Sequence, residues 1–457
     1  MSEAALRVET SLQSFLTGLP LGSVRPAPPV VKPVDSTLLR RVIGPLALMT
    51  TTPFLMIALW LTASEHQGSF LEFFQAGPSA WLAELPRPTL NALAIALGWT
   101  LVQGLLLTYL PGERFLGPPT PAGEQPVYKL NGMAAWWISH VGVAAAWWGG
   151  LFSAANFYDQ YGSLLVTLNL GALAFCAFLY WKGTHYPTSR DAVLTGNLVF
   201  DFFQGPELHP RLGGMNLKQL INCRVSMMGW SVIACVFAAA QYEKHAVLST
   251  SMIAAVAVLV VYLYKFFWWE SGYFTSLDIM HDRFGYYICW GVLAWVPSAY
   301  ETPFMYLVNH PIDRSWPVTI GIIALGVLAI WINYDADAQR QRVRATDGKT
   351  TVWGKPPETM IAPYTTSDGQ KRTSILLLSG WWGVARHFHY VPELGLAFAW
   401  TVSAGFSDFL PWFYWVFLAI LLFDRAGRDE KRCAAKYGDS WVEYRTKVPY
   451  RIVPFIY

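Results

Sequence analysis

The feature that most limits what this chain can become is the recurrence of apolar runs long enough to cross a bilayer. A hydrocarbon core about 30 Å thick needs roughly 20 residues of apolar helix, since a helix satisfies its own backbone polar groups where no water is present. Ten runs reach or approach that length: 43–63, 89–110, 133–153, 163–181, 222–241, 247–268, 284–308, 317–333, 391–404 and 408–423. The last two are short, and Phe406-Ser407-Asp408 divides them, which predicts a tight helical hairpin. The expected fold class is all-α: a polytopic membrane protein with about ten transmembrane helices. Composition agrees, because only 14% of the 457 residues are charged and 54% are hydrophobic. Soluble domains carry about 25% charged residues. A soluble enzyme, a disordered chain and a nucleic-acid binder are excluded on these grounds, and a net charge of +3 implies no anionic partner.

Positive charge orients the spans. The stretch 334–374 holds Arg340, Arg342, Arg344, Lys349, Lys355, Lys371 and Arg372, and the tail 424–457 is equally basic. Both are expected on the cytoplasmic side, together with an N-terminal arm that carries Arg25, Lys32, Arg40 and Arg41. The segments 64–88 and 154–162, which hold one Arg and no Lys or Arg respectively, belong on the other side. The expected organisation is a mobile cytoplasmic arm over 1–42, spans one to eight over 43–333, and a cytoplasmic loop, two helices and tail over 334–457. No secretory leader is read in the arm. The five Cys form no paired motif and read as reduced structural thiols. No internal repeat marks an inverted-repeat transporter.

Two regions combine charge, aromatics and membrane proximity. The first runs from Tyr262 to Glu301, through Glu270, Asp278, His281-Asp282-Arg283 and Tyr286-Tyr287. Ionisable residues beside apolar helices are expensive and often functional. Asp278 and Asp282 are four apart and would share a face if a helix carried both. The plainer reading is a solvated interfacial loop with local ion pairs. The second region is Ser379–Tyr390, rich in small residues, aromatics and cations, with the basic tail after it. Arg340 and Arg344 join it as a second basic segment. Clustered Arg suits phosphate, and aromatic faces suit a planar ring. Equally, such cations can serve only as the cytoplasmic signal and as headgroup contacts. No phosphate-binding Gly-rich loop and no metal-ligand spacing is present, and His387 and His389 stand too close in sequence to share a metal from one helix. A proton-coupled transporter stays open at this point.

The stretch Leu377-Leu378-Ser379-Gly380-Trp381-Trp382-Gly383-Val384-Ala385-Arg386-His387-Phe388-His389-Tyr390 resembles the first signature of the sterol reductase family. The tail resembles its second, through Asp424-Arg425, Arg428-Asp429-Glu430, Cys433, Lys436-Tyr437-Gly438, Trp441, Tyr444 and Val448-Pro449-Tyr450-Arg451. Further matches lie at Gly205–Arg211, Trp268–Tyr273, His281–Arg283 and Tyr306–Pro311, so the likeness covers roughly 200–457 strongly. The family includes Δ14, Δ7 and Δ24(28) reductases and a non-enzymatic scaffold, the lamin B receptor. Arg386–Glu393, Thr346–Lys349, Val352-Trp353-Gly354 and Tyr364-Thr365-Thr366 are most similar to its Δ7-reducing branch in the plant-like form. The commoner family pattern has Asn at His389 and Gly-Asp at Pro392-Glu393.

The resemblance implies a ten-helix membrane fold whose C-terminal half forms an NADPH pocket on the cytoplasmic side. It implies cofactor contacts from Arg340 and Arg344 to phosphate. Leu377, Trp382, His389 and Tyr390 would line the nicotinamide side. Asp429, Cys433, Ala434, Ala435, Lys436, Tyr437 and Tyr444 would hold the adenosine and ribose end. The implied reaction is reduction of the Δ7 double bond of a Δ5,7-sterol by protonation and then hydride transfer. Tyr262 would be the proton donor, with Glu270, Asp278 and Asp282 to polarise it or relay the proton. The implied partners are a sterol dissolved in the membrane and the bilayer itself, with no nucleic acid and no metal. The implied location is the endoplasmic reticulum in a eukaryote or the inner membrane in a bacterium. A Δ14 reductase, a scaffold and a transporter are the alternatives.

Overall fold

A computed structural model describes residues 27–31, 37–120, 122–365 and 369–457. Most of the arm expected over 1–42 lies outside the described residues. Among those residues helices dominate, and the only sheets are three antiparallel strand pairs. Seven helices are long and apolar enough to cross a membrane: Leu39–Ser64, Leu90–Tyr109, Tyr161–His185, Gln219–His245, Thr250–Trp268, Trp316–Ala345 and Leu410–Tyr437. The chain is an all-α polytopic membrane protein.

The other three apolar runs also form helix, in shorter pieces. Gly132–Trp148 has 17 residues and ends at Gly149-Gly150. The run 284–308 divides into a π-helix, Tyr286–Tyr300, and the helix Thr302–Asn309. Pro297 lies inside the first piece, where it removes a backbone donor. The run 391–404 forms Tyr390–Val402, with 13 residues.

The chain forms two compact units. The first comprises residues up to Leu248 together with Leu263–Pro311. The second comprises Ser249–Tyr262 together with Ile312–Tyr457. The segment 334–457, expected to carry a cofactor, falls wholly in the second.

In the first unit, buried hydroxyls tie helices to each other's carbonyls. Tyr161 Oη donates to the Pro297 carbonyl at 2.5 Å and Tyr158 Oη to that of Met305 at 2.9 Å. Ser298 Oγ donates to the Met56 carbonyl at 3.0 Å. Each bond satisfies a polar group that would otherwise cost free energy in an apolar interior. Trp60 meets Tyr158 and Tyr161 edge to face, at 5.2 and 5.6 Å. Gly162 permits that approach, since a Cβ there would stand 2.3 Å from Trp60 Nε1.

In the second unit, the helices Trp316–Ala345 and Tyr390–Val402 pack together, with Gly395 opposite Ala329. The expected hairpin is present: Phe406–Asp408 falls in the turn between Tyr390–Val402 and Phe413–Tyr437. Trp415 Nε1 donates back to the Leu394 carbonyl at 3.0 Å, and Trp400 stacks on Tyr414. Beyond it, the terminal helix Asp439–Lys447 lays Trp441 and Tyr444 on a β-hairpin, Thr359–Thr365 paired with Lys371–Leu377. Ala362, Leu376 and Leu378 form the receiving face. Each such aromatic, once buried, contributes about 1.5–3 kcal/mol.

Candidate active site

The site grows from the end of Trp316–Ala345, where the helix changes from apolar to polar. Asp335, Asp337, Gln339, Arg340 and Arg344 follow one another there. Ser379–Trp382 docks on this end through its own polar atoms. Gln339 Oε1 accepts from the Trp381 backbone N–H at 3.2 Å, and Asp335 Oδ2 accepts from Trp381 Nε1 at 2.9 Å. Trp382 Nε1 donates to the Ala336 carbonyl at 2.7 Å. Gly380 makes the turn: its φ is +63°, and a Cβ would lie 2.1 Å from Gln339 Oε1. Only glycine meets both demands.

Trp382, thus fixed, carries the Arg340 guanidinium over its ring at 4.2 Å. Asp337 holds Arg340 from the other side at 3.1 Å. His389 lies 5.0 Å from the Trp382 ring and 4.2 Å from that of Tyr390, and His387 stacks flat on Tyr390. Burial, and to a smaller extent Arg340 and His387, pushes His389 down to about 4, against the pull of Asp337 and Asp429. The ring is therefore neutral at physiological pH. Its Nδ1 is a buried atom with no hydrogen-bond partner among the described residues. Burial also raises the Tyr390 phenol well above its ordinary range.

The Tyr262 phenol donates to Glu393 Oε1 at 2.8 Å. The other carboxylate oxygen accepts from Asn333 Nδ2 at 2.9 Å, and that amide also donates to the His389 carbonyl at 3.2 Å. Glu393 sits in the first turn of Tyr390–Val402, where the helix dipole favours negative charge. One chain of hydrogen bonds thus runs from the phenol to the backbone of the histidine beside Trp382. Sequence reasoning did not select Glu393 or Asn333 as site residues. The signal for Glu393 was a lone carboxylate just inside an apolar helix, four residues after His389.

The remaining candidates divide. Arg344 Nε donates to the Ile375 carbonyl at 3.2 Å. Leu377 packs with Trp382, Val343 and Val352. Tyr444 Oη reaches the Leu377 carbonyl at 3.2 Å. Cys433 and Tyr437 pack on the Trp441–Tyr444 cluster, and the Lys436 ammonium lies 4.0 Å over the Tyr364 ring. Asp429 pairs with Arg432 and faces His387 Nδ1 at 3.9 Å. Ala434 and Ala435 are exposed on the same helix. A buried ion pair secures the tail: Arg386 Nε meets Glu430 at 2.6 Å, while its Nη1 donates to the Val448 and Pro449 carbonyls.

The three acids expected to assist Tyr262 belong to the first unit. Glu270 is buried, ion-paired with Arg224, and accepts from the Gly132 N–H at 2.8 Å. Arg224 is held in turn by Asn131 Oδ1 at 3.1 Å. Asp278 and Asp282 do not share a helical face. Their helix, Leu277–Met280, has four residues and ends before Asp282. The Asp282 carbonyl instead takes a hydrogen bond from Lys218 Nζ, which also binds the Ile279 carbonyl. That buried ammonium gathers the chain into a turn where a helix would otherwise continue.

Comparison with known proteins gives this arrangement its class. The profile of the ergosterol biosynthesis ERG4/ERG24 family matches residues 40–457. A 7-dehydrocholesterol reductase of Arabidopsis thaliana is 47% identical over 417 residues, covering 90% of this chain and 96% of the relative. A Delta(14)-sterol reductase of Methylotuvimicrobium alcaliphilum is 35% identical and covers 90% and 94%. A 7-dehydrocholesterol reductase of Xenopus laevis is 35% identical, with 81% and 82% covered. The chain belongs to the ERG4/ERG24 sterol reductase family, as an integral membrane protein.

Proposed function

We propose that this chain reduces the Δ7 double bond of a membrane-dissolved Δ5,7-sterol, with NADPH as the reductant. The observation that carries the reading is the Tyr262–Glu393–Asn333 network, one peptide group away from His389. The higher identity to a 7-dehydrocholesterol reductase than to a Delta(14)-sterol reductase supports the Δ7 position.

The residues fit a dinucleotide phosphate. Arg340, Arg344 and Lys436 are cations suited to its phosphates. Trp382 and Tyr390 offer flat faces for a ring. The partnerless, buried Nδ1 of a neutral His389 is a hydrogen-bonding atom left over for a ligand amide, whose C=O and N–H suit either tautomer. When bound, NADPH supplies the hydride for the electron-poor carbon.

An isolated C=C accepts hydride poorly, so a proton must reach it first. Tyr262 holds that proton at its phenolic oxygen. A phenol alone is a weak acid, and Glu393 corrects this. At rest Glu393 is the carboxylate that accepts from the phenol; once it has taken up a proton, that proton passes to the phenolic oxygen as the phenol turns its own proton to the alkene carbon. Tyr262 stays neutral, Glu393 leaves the step as a carboxylate, and the sterol becomes a tertiary or allylic cation. Asn333 orients the carboxyl group and stabilises its anionic form. Aromatic faces such as Trp400, 5.9 Å from the Tyr262 ring, suit a cation.

The experiment is a product assay in yeast that accumulates Δ5,7-sterols, read by gas chromatography with mass spectrometry. Loss of the Δ7 bond, dependent on Arg340 and Arg344, is the expected result. An unchanged Δ7 bond with the protein present in the membrane would sink the reading. Rescue of a Δ14-reductase-deficient strain then tests the second reading, which the Methylotuvimicrobium relative supports.

A further inference from the structure

The first unit contains a cavity of about 430 Å³, built entirely from its own residues. None of the proposed catalytic or cofactor residues lines it. Its size falls within the roughly 300–1,000 Å³ of small-molecule sites. We propose that it is a second sterol site, distinct from the residues that carry the reaction. The choice of occupant rests on the sterol-directed function proposed above.

Three observations select this class of ligand. No Asp, Glu, Lys, Arg or His is among the lining residues. A phospholipid headgroup or a fatty-acid carboxylate would find no counter-charge there. The lining offers the amides of Asn91, Asn156 and Gln160, with Asn91 Nδ2 donating to Gln160 Oε1 at 2.8 Å, while the Thr100 and Ser226 hydroxyls are already spent on backbone carbonyls at 2.8 and 2.7 Å. The three amide residues are exposed, whereas Val225, Gly229, Val236 and Val292 on the walls are buried. A neutral amide rim over an apolar shaft matches one hydroxyl on a rigid apolar body. The walls are also fixed in place: Trp99 Nε1 is tied to the Val225 carbonyl at 2.9 Å, and Ser226 Oγ to the Val292 carbonyl at 2.7 Å. Walls held in place favour a preformed ring system over a mobile acyl chain, whose ordering would cost more entropy.

Three of the helices that line it, Leu90–Tyr109, Tyr161–His185 and Gln219–His245, are long and apolar enough to cross a membrane. The ligand therefore arrives from the bilayer. Gly229 lines the cavity beside Trp99: a Cβ there would stand in ordinary contact, 3.5 Å from Trp99 Nε1, so a longer side chain would reach into the space.

The test uses the full chain in lipid nanodiscs with a diazirine-bearing sterol, and maps the label by mass spectrometry. Label is expected on peptides within 91–100 and 225–236, displaced by excess unlabelled sterol. Gly229→Leu fills the shaft and should cut this label about tenfold or more. Asn91→Leu, at the exposed rim, should lower it about fivefold, the worth of one hydrogen bond. Both variants should keep sterol turnover, and Tyr262→Phe, which stops turnover, should keep the label. Absence of label from these peptides overturns the inference. So does equal labelling by a diazirine-bearing phospholipid, or label indifferent to excess sterol. If Gly229→Leu fails to fold, Asn91→Leu and the competition decide. Because labelling is read apart from turnover, a failed product assay leaves this result standing.

Discussion

Glu270 in the first unit and Glu393 in the second present similar sequence credentials, each a lone carboxylate beside aromatics at the edge of an apolar run. Their surroundings differ. Glu270 is buried against a guanidinium and a backbone N–H. Glu393 accepts from a phenol and a side-chain amide. A carboxylate closed by Arg is committed to its charge, because protonating it would leave the buried guanidinium uncompensated. A carboxylate that accepts from a phenol shares a hydrogen bond along which a proton can move. The first carboxylate is closed by an ion pair, and the second is linked to a phenol.

That contrast breaks first at Tyr262. Tyr262→Phe should lower turnover by about 10²–10⁴, the usual worth of a positioned general acid, while NADPH affinity measured by fluorescence titration stays unchanged. Turnover within twofold of the parent would remove Tyr262 as donor.

The next largest effect belongs to Glu270. Glu270→Ala should cost roughly 3–5 kcal/mol of stability, the penalty for stranding one partner of a buried pair. A thermal melt in detergent reads it. The double change Glu270→Leu with Arg224→Met should recover much of that loss and keep turnover per folded molecule. A folded but inactive double variant would bring Glu270 into the reaction after all.

Arg340→Ala sharpens the cofactor side. It removes a cation and its stack over Trp382, and should weaken NADPH binding by about tenfold or more. KM for NADPH should rise with kcat largely kept. A fall in kcat alone would place Arg340 elsewhere in the cycle.

The smallest effect is in pH. His389 is pushed down to about 4 by burial, against 6.5 when free. The fold favours the neutral ring, so its contribution to stability is fully present above 6.5 and is lost as pH falls through 4. NADPH affinity should show no step from His389 between pH 6 and 8, and His389→Phe should leave that profile unchanged while weakening binding. A step near 6.5 that disappears in His389→Phe would mean that the ring is solvated.

Much of this was legible before any coordinates. The spans could be read because the free energy of placing a residue in hydrocarbon is set residue by residue. Trp382, Tyr390, His389 and Arg340 could be picked out as aromatics and cations on polar ends of apolar helices, and the structure brings these four together. Other features were hidden. The run 284–308 looks like one span, yet Tyr286–Tyr300 is π-helical and a second helix follows at Thr302. The four-residue spacing of Asp278 and Asp282 suggested one helical face, but Lys218 binds the carbonyls of Ile279 and Asp282 and the chain turns.

The sequence by itself determined the class of protein and seven of the ten expected spans, since transfer energy acts residue by residue. Tertiary structure alone decided which carboxylate meets Tyr262. That partner is 131 residues away, and its choice depends on how helices pack.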